Sequence, residues 1–325
     1  MRALFFVAAL FAGLAGMPQA EAANQTDALE ALKKVAVAAH QLNYSGTFIY
    51  QYGDHVETSR VVHLRNDSGE HEKVEALDGY PLEVVRNNNE VLCFKPDSNS
   101  SVVVEKRRIG KSFPALLPSR MDDIGKNYKV RLAEPDRVAG YACDVLVLEP
   151  KDQYRYRLKL WIDHATSLLL KASTLNEKNE VIGQFAFTQL TIGGQIDSES
   201  LKPKISGRKV VVSNNSAAVT ELRQNDVEWA VKPLPPGFNQ VTAMKRTMPG
   251  KDVPVDHLVF SDGLATVSVF IEPVESGTKA MQGVAHRGAT NFYTHTLADR
   301  QITVLGEVPE VTVMQIGNSV VNAAK

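Results

Sequence analysis

The sequence predicts a mainly β protein of the α+β class, built from two antiparallel sheets of unequal size. Many short segments alternate apolar and polar residues, and turn-forming residues separate them at short intervals. Helical spacing is clear only near the start and the end of the mature chain. At 325 residues the chain is long for one hydrophobic core, so we expect two domains.

Residues 1–22 have the features of a cleavable signal peptide. Arg2 supplies a positive charge, residues 3–14 form an apolar run, and Ala20-Glu21-Ala22 is a small-x-small cleavage pattern. The apolar run is shorter than the ~20 residues that a membrane-spanning helix needs. We therefore expect export, cleavage before Ala23, and a soluble mature protein in the periplasm.

A helix and then a long series of strands are predicted for residues 23–200. Leu29, Leu32 and Val35 recur at helical spacing after Asp27, which predicts one helix. The predicted strands are 45–52, 55–64, 71–77, 81–86, 90–94, 101–105, 128–132, 141–148, 154–162, 167–173 and 181–190. Residues 110–126 are expected to form a loop with a helical turn.

A linker and a smaller domain follow. Residues 193–225 are rich in Ser, Asn, Lys and Gly and are predicted to form a linker with one local strand at 209–212; the linker proper is placed at 201–225. The second domain, residues 226–325, has predicted strands at 227–231, 240–245, 257–260, 264–271, 289–296 and 301–306 and a helix from Pro309. Asp262-Gly263 predicts a hairpin turn between two of these strands.

Composition and motifs argue against several function classes. A net charge of −1 gives no electrostatic basis for binding nucleic acid. The sequence contains neither a Gly-x-Ser-x-Gly elbow nor a phosphate-binding glycine loop. The stretch from His71 to Glu75 lacks the second histidine of a zinc-protease helix. We predict a non-enzymatic protein without a metal site or cofactor.

The two cysteines, Cys93 and Cys143, lie in predicted strands. In an oxidising compartment an even number of cysteines permits one disulfide. Two buried thiols are the alternative, and the sequence leaves both open.

An apolar cavity is the candidate site of the first domain. A large sheet with a single helix leaves part of its inner face uncovered, and such a face lines a groove or cavity. The candidate lining residues are Phe48, Tyr50, Leu92, Phe94, Leu146, Leu148, Leu158, Leu160, Phe185 and Phe187. The alternative is a packed core, which alternation by itself favours.

Several stretches resemble the periplasmic sigma-E regulators of the RseB/MucB type. They include Tyr-Ser-Gly-Thr-Phe-Ile-Tyr at 44–50, Phe-Ala-Phe-Thr-Gln-Leu at 185–190, Leu-Pro-Pro-Gly-Phe at 234–238, Ser-Asp-Gly-Leu-Ala at 261–265 and Val-Leu-Gly-Glu-Val-Pro at 304–309. These stretches occur in the family's order over nearly the whole mature chain. The resemblance implies a half-open antiparallel β-barrel with a helix, like the carriers LolA and LolB, and a smaller antiparallel sheet with a helix.

The resemblance also implies a function and partners. Such a protein binds the periplasmic domain of an RseA/MucA-type anti-sigma factor and shields it from the site-1 protease. Mislocalised lipid or lipopolysaccharide then releases the regulator, and the envelope stress response begins. The first domain would sense lipid in its apolar cavity, the second would bind the anti-sigma factor, and a homodimer is a further expectation.

The family has no short motif for the partner contact, so the candidate partner residues rest on expected exposure alone. They are Lys245 and Arg246, together with Ser261, Asp262 and Gly263 of the predicted hairpin. The alternative is a surface patch without function. Rotation of the domains about residues 193–225 is the expected switch. The competing functions are a lipid or lipoprotein carrier, which would not need the second domain, and a secreted enzyme, for which no motif was found.

Overall fold

The computed structural model describes residues 17–96, 101–107, 124–205, 209–213, 219–222, 227–247, 253–274 and 282–323. Within these ranges the protein is mainly β, with a large sheet in the first half of the chain and a smaller one in the second. The helices are α1 Met17–Gln41, α2 Ile124–Asn127 and α3 Glu310–Asn318, with a short 3-10 helix at Ser198–Leu201. The predicted mainly β class with two sheets is confirmed.

The first sheet is open and almost entirely antiparallel. Its strands are β1 Tyr44–Tyr52, β2 His55–Asn66, β3 Gly69–Ala76, β4 Glu83–Asn87, β5 Glu90–Pro96, β6 Ser101–Arg107, β7 Tyr128–Val138, β8 Tyr141–Pro150, β9 Arg157–Asp163, β10 Leu169–Leu175, β11 Val181–Ile192 and β12 Lys209–Ser213. Their order is β12-β6-β5-β4-β3-β2-β1-β11-β10-β9-β8-β7. Only β12 runs parallel to its neighbour, β6, among the pairs in the described part of the sheet.

Helix α1 packs against one face of this sheet, which we call the inner face. Ala28, Leu32 and Val35 on the helix are buried in one cluster with Tyr44 and Phe48 of β1. Their spacing places them on one side of the helix. The helix therefore covers part of the inner face and leaves the rest to be covered by other elements.

The second sheet packs one face against α3. Its strands are β13 Val219–Glu221, β15 Asn239–Arg246, β16 Val255–Ser261, β17 Thr266–Pro273, β18 Gly283–Arg287, β19 Thr290–Leu297 and β20 Arg300–Gly306, in the order β13-β15-β16-β17-β20-β19-β18; a separate two-stranded sheet joins β14 Trp229–Val231 to β21 Val320–Asn322. Val313 and Ile316 of α3 share a buried cluster with Val269 and Val304. The opposite face of the sheet is therefore available to contact the first domain.

Part of the predicted linker is attached to the first sheet. The backbone carbonyl of Lys202 accepts a hydrogen bond of 2.8 Å from Lys73 Nζ. The amides of Lys204 and Ile205 donate to Glu83 at 2.7 and 2.9 Å. Residues 209–213 then pair with β6 as β12. Residues 202–205 of the predicted linker region therefore contact the first sheet, because the buried Lys73–Glu83 pair supplies polar partners to their backbone.

The N-terminal helix is longer than predicted. It begins at Met17 rather than near Asp27, so residues 17–22 of the predicted signal peptide are helical. Residues 1–16 lie outside the described residues, as does most of the predicted loop at 110–126. Within the described ranges, no helix is both long enough and apolar enough to cross a membrane.

Candidate functional site: a cavity between the two sheets

A cavity of about 750 Å³ lies between the inner face of the first sheet and the open face of the second. Strands β1, β9, β10 and β11 form one wall, and β17 to β20 with the β16–β17 hairpin form the other. This volume is typical of sites that bind small molecules, which measure roughly 300–1,000 Å³. The cavity is built by both domains, whereas the sequence places it inside the first.

The floor of the cavity is apolar because the pleat of three adjacent strands aligns their inward side chains. Ala172 of β10 lies opposite Leu160 of β9 and opposite Phe185 of β11. All three side chains line the cavity. Directly opposed residues in antiparallel strands point to the same face, so this register produces a continuous apolar surface.

Polar groups from both domains meet at the mouth. The Tyr50 hydroxyl donates to Glu307 Oε1 at 3.3 Å, and Arg287 Nη2 donates to the Tyr52 hydroxyl at 2.9 Å. The Arg287 guanidinium also lies 4.5 Å from the centre of the Tyr52 ring. Burial, with the nearby Glu307 carboxylate as the next cause, raises the pKa of Tyr50 well above its usual value, so its hydroxyl stays protonated.

A buried ion pair joins the domains beside the cavity. Arg155 Nε contacts Asp262 Oδ2 at 2.5 Å, and both side chains are completely buried. Arg155 also bonds to Asp152 and to the carbonyl of Pro236, and it lies over the ring of Phe238. We call this group of contacts the interdomain latch.

The latch requires a glycine at position 237. Gly237 has φ +78°, and a Cβ there would lie 2.3 Å from Asn127 Oδ1 and 2.6 Å from Arg155 Nη2. Because such distances are steric overlaps, the loop can approach the first domain this closely only without a side chain.

The predicted cavity residues divide into three groups. Tyr50, Leu158, Leu160 and Phe185 line the cavity. Phe48, Leu146, Leu148 and Phe187 are buried in the core beneath α1. Leu92 and Phe94 do not belong to this site.

The strand register explains why Leu92 and Phe94 were placed incorrectly. Tyr44 pairs with His63, His63 with Glu72, Glu72 with Arg86, and Arg86 with Val91, so Val91 lies on the inner face. Side chains alternate along a strand, and Leu92 and Phe94 therefore point to the opposite face. The sequence could not reveal this, since a one-residue shift of register exchanges the two faces.

The predicted partner residues do not lie together: Lys245 and Arg246 are at the end of β15, whereas Asp262 is in the interface between the domains. Lys245 is half-buried and lies 3.3 Å from Glu228 and 3.7 Å from Asp256. Arg246 is also half-buried, at the end of β15. Both lie on the second domain away from the latch.

The predicted exposed hairpin is in contact with the first domain. Asp262 is only 3% exposed and is the carboxylate of the latch. Ser261 Oγ accepts the amide of Gly263 and donates to the carbonyl of Ala265, which holds the turn. The expectation that this hairpin is free at the surface is wrong, because the Asp262 carboxylate forms a buried ion pair with Arg155 of the first domain.

Cys93 and Cys143 are both buried and do not form a disulfide with each other. Cys93 is on β5 and Cys143 on β8, with seven strands between them in the order of the sheet. A disulfide needs Cα atoms roughly 4.4–6.8 Å apart. The alternative of two buried thiols is the arrangement found.

We expect the two thiols to be unreactive in the native protein. Burial raises the pKa of Cys143 to about 11, and the thiolate is the reactive form. Titration with a thiol reagent at pH 8 should label neither cysteine natively and both after denaturation. Fast labelling of either thiol in the folded protein, or a missing thiol after denaturation, would contradict this expectation.

A serine and a histidine lie together at the cavity, but they lack the features of a catalytic pair. Ser268 Oγ lines the cavity and lies 3.0 Å from His257 Nε2. Burial, with a contribution from Arg246, lowers the pKa of His257 to about 4, which makes it a weak base at neutral pH. His257 Nδ1 has no partner among the described residues, so no carboxylate orients the ring. Nor do three or more metal-ligating side chains come together in the ranges that the structure describes.

Sequence reasoning missed Arg155, Arg287 and Glu307. Arg155 lies within the predicted strand 154–162, and its side chain is completely buried. Arg287 and Glu307 lie far from Tyr50 and Tyr52 in the sequence, and only the docking of the sheets brings the four together. Glu307 falls within the family-like stretch 304–309, but no local pattern indicates a place at the cavity or the interface for any of the three.

Comparisons with known proteins cover almost the whole chain. The profile of the MucB/RseB N-terminal domain matches residues 27–205, and that of the MucB/RseB C-terminal domain matches residues 223–321. The sigma factor AlgU regulatory protein MucB of Pseudomonas aeruginosa is 32% identical over 319 residues, which are 96% of this chain and 95% of that protein. The sigma-E factor regulatory protein RseB of Escherichia coli K12 is 26% identical over 338 residues and 98% of each chain.

Solved structures agree with the sequence comparison. A crystal structure of MucB in complex with MucA(peri) has a TM-score of 0.72 at 29% identity, over 92% of this chain and all of that one. The Pseudomonas aeruginosa MucA/MucB complex has a TM-score of 0.73 at 30% identity, with the same coverage. A crystal structure of MucB has a TM-score of 0.61 at 29% identity, over 91% of this chain and 98% of that one.

The relatives are named as regulatory proteins, which agrees with the absence of the catalytic motifs considered above from the sequence. Both family domains occur here in one chain, in order, and over the two sheets described above. This chain belongs to the MucB/RseB family of sigma-E regulatory proteins.

Proposed function

We propose that this protein is a periplasmic, non-enzymatic negative regulator of a sigma-E-type envelope stress response. It binds the periplasmic domain of an RseA/MucA-type anti-sigma factor and shields that domain from site-1 proteolysis. Mislocalised lipid or lipopolysaccharide releases it. The full-length relationship to MucB, which has been crystallised with MucA(peri), carries the proposal.

The proposed division of labour follows the two sheets. Residues 23–200 form the lipid-sensing domain, and residues 226–325 bind the anti-sigma factor. Each half has its own buried cluster, and the cavity lies where the halves meet. A ligand at this junction contacts both domains and can therefore change how they are oriented.

A change in domain orientation is the proposed switch. The chain is more similar in structure to the two MucB–MucA complexes than to the MucB crystal structure. A ligand shifts a two-state equilibrium only by its difference in affinity for the two states. Lipid that favours an orientation with the latch broken would therefore weaken binding of the partner.

The physical chemistry of release is favourable for lipid outside a bilayer. An acyl chain gains about 0.8 kcal/mol per methylene that leaves water. An acyl chain that is already in a membrane has most of this favourable free energy, whereas the acyl chain of a displaced lipid does not. The apolar floor of Leu160, Ala172 and Phe185 offers such a lipid a buried surface.

The proposal is tested by titrating mature residues 23–325 with the periplasmic segment of the anti-sigma factor from the same organism. We expect saturable binding, slower cleavage by the site-1 protease, and reversal of both by lipopolysaccharide. Binding of lipid without binding of the segment, followed by transfer of the lipid to acceptor vesicles, would instead identify a carrier.

Filling the cavity should separate lipid release from partner binding. Ala172 is buried between Leu160 and Phe185 on the cavity floor, so Ala172→Trp occupies the volume that an acyl chain would use. We expect lipid affinity to fall about tenfold or more, in line with a loss of at least ~1.4 kcal/mol. Lipopolysaccharide should then release the partner poorly.

The matched control is Ala142→Trp, at an exposed position of β8 outside the cavity. It should leave lipid affinity and release unchanged. Equal lipid affinity of both variants and wild type would rule out the cavity as the lipid site. The unfolding midpoint of each variant shows whether the new side chain has disturbed the fold.

A further inference from the structure

Among the described residues that line the cavity, Arg287 carries the positive charge and Glu307 the negative charge. Arg287 ends β18 and lies opposite Thr290 of β19. Asn291 lies opposite Gly306, so Glu307, the next residue after Gly306, continues on the other side of Thr290. Arg287 and Glu307 therefore lie on either side of Thr290. Their Cα atoms are about two interstrand spacings apart, or roughly 9.5 Å.

Two neighbouring tyrosines of the first domain hold these charges. Tyr52 contacts Arg287, and Tyr50 contacts Glu307. Tyr50 and Tyr52 are two residues apart on β1 and face the same side, with ring centres 5.7 Å apart. Each tyrosine thus positions one charged group at the mouth: Tyr52 the guanidinium and Tyr50 the carboxylate.

Arg287 and Glu307 make no direct ion pair with each other. Arg287 is joined to the Glu57 carboxylate only through the Tyr52 hydroxyl, which donates to Glu57 Oε1 at 2.5 Å. Among the described residues, no ion pair within 4.0 Å involves Arg287 or Glu307. Both are exposed at the mouth, while Leu160, Phe185 and Leu305 lie among the apolar lining. A ligand that fits has an apolar chain and a head that carries both an anion and a cation.

We infer that the cavity binds a zwitterionic phospholipid with a primary ammonium in its head group. The phosphate binds the Arg287 guanidinium, and the ammonium binds the Glu307 carboxylate. The acyl chain lies on the apolar floor. This inference rests on the proposed lipid-sensing function and adds the chemical class of the lipid.

The arrangement predicts discrimination between head groups. A lipid with an ethanolamine head satisfies both charges, whereas a lipid with a glycerol head satisfies only Arg287 and leaves Glu307 facing a net anion. A hydrogen bond to a charged group contributes about 1.5–3 kcal/mol, which corresponds to roughly a tenfold preference or more.

The test compares monoacyl phosphoethanolamine and monoacyl phosphoglycerol lipids of one chain length, below their micelle concentrations, by calorimetry with the mature protein. We expect wild type to prefer the ethanolamine lipid about tenfold. Glu307→Gln should abolish the preference, and Arg287→Gln should weaken both lipids to a similar extent. The controls are Glu134→Gln and Arg65→Gln, at exposed positions outside the cavity.

Equal binding of both lipids by wild type, or a preference that survives Glu307→Gln, overturns the head-group assignment and leaves lipid sensing intact. If neither lipid binds to a protein that still binds the anti-sigma segment, the phospholipid assignment is overturned, and the lipopolysaccharide titration described above then decides whether lipid sensing fails as well. Loss of segment binding in both variants with unchanged lipid affinity would assign the two charges to the protein partner and overturn the inference.

Discussion

Replacing Asp262 with alanine is expected to destabilise the protein by about 3 kcal/mol, at the lower end of the cost of breaking a buried ion pair. The change leaves the Arg155 guanidinium, which is completely buried, without its main carboxylate. Asp152 and the Phe238 ring still contact Arg155, which keeps the loss at that lower end. Denaturant unfolding followed by tryptophan fluorescence measures it.

The same change should loosen the orientation of the two domains. Solution scattering of Asp262→Ala is expected to show a larger radius of gyration than wild type. The double variant Arg155→Met, Asp262→Leu removes both charges and should recover much of the lost stability. Arg131→Gln is the control, since Arg131 and Glu149 form a half-exposed pair at 3.2 Å and such pairs contribute about 0–1 kcal/mol.

Two results would contradict this account of the latch. One is a loss of stability for Asp262→Ala no larger than that for Arg131→Gln. The other is an unchanged scattering profile together with unchanged partner affinity. Either result would mean that the apolar contacts at the interface hold the domains together without the ion pair.

Replacing Lys73 with alanine is expected to cost about 3–5 kcal/mol and to release the segment that follows the first sheet. Lys73 Nζ lies 2.7 Å from Glu83 Oε1, and both side chains are 2% exposed. Without Lys73, the Glu83 carboxylate stays buried and the Lys202 carbonyl loses its donor. Hydrogen exchange should then accelerate at residues 198–205 before it changes in β1.

The contribution of Glu83 should depend on pH. Burial raises the pKa of Glu83, but hydrogen bonds from the Ile205 amide, Lys73 and the Lys204 amide outweigh it and place that pKa below its usual value. The unfolded chain then binds the proton more readily, so stability rises with pH in this range. The stabilisation is complete above the unfolded value of about 4.3 and is lost as pH falls through the lower folded value.

Glu83→Gln provides the matched comparison. Its unfolding free energy should vary less between pH 5 and 2 than that of wild type, on the linkage argument for a carboxyl with a depressed pKa. A variant whose stability falls as steeply with acid as wild type would show that other carboxyl groups, and not Glu83, control this pH range. If hydrogen exchange at residues 198–205 is unchanged in Lys73→Ala, then the Lys73–Glu83 pair does not hold this segment on the first sheet.

Local patterns along the chain are enough to predict the kind of structure and the family. Alternation along segments such as 154–162 and helical spacing around Leu32 depend only on neighbours in the chain, so the β content and α1 could be predicted. Ordered stretches such as 44–50 and 234–238 pointed to the MucB/RseB family before any fold was known. Local signals of this kind do not depend on how distant segments meet.

The position of the cavity and the residues that line it depend on strand register and on how the two sheets dock. Phe48 and Phe185 were correctly assigned to one face, but Leu92 was assigned to the wrong face because register is a property of paired strands. Asp262 was expected at the surface and is buried, because its partner Arg155 is 107 residues away in the sequence. Contacts between distant residues form only when the two sheets dock, and that docking created both the latch and the charged mouth of the cavity.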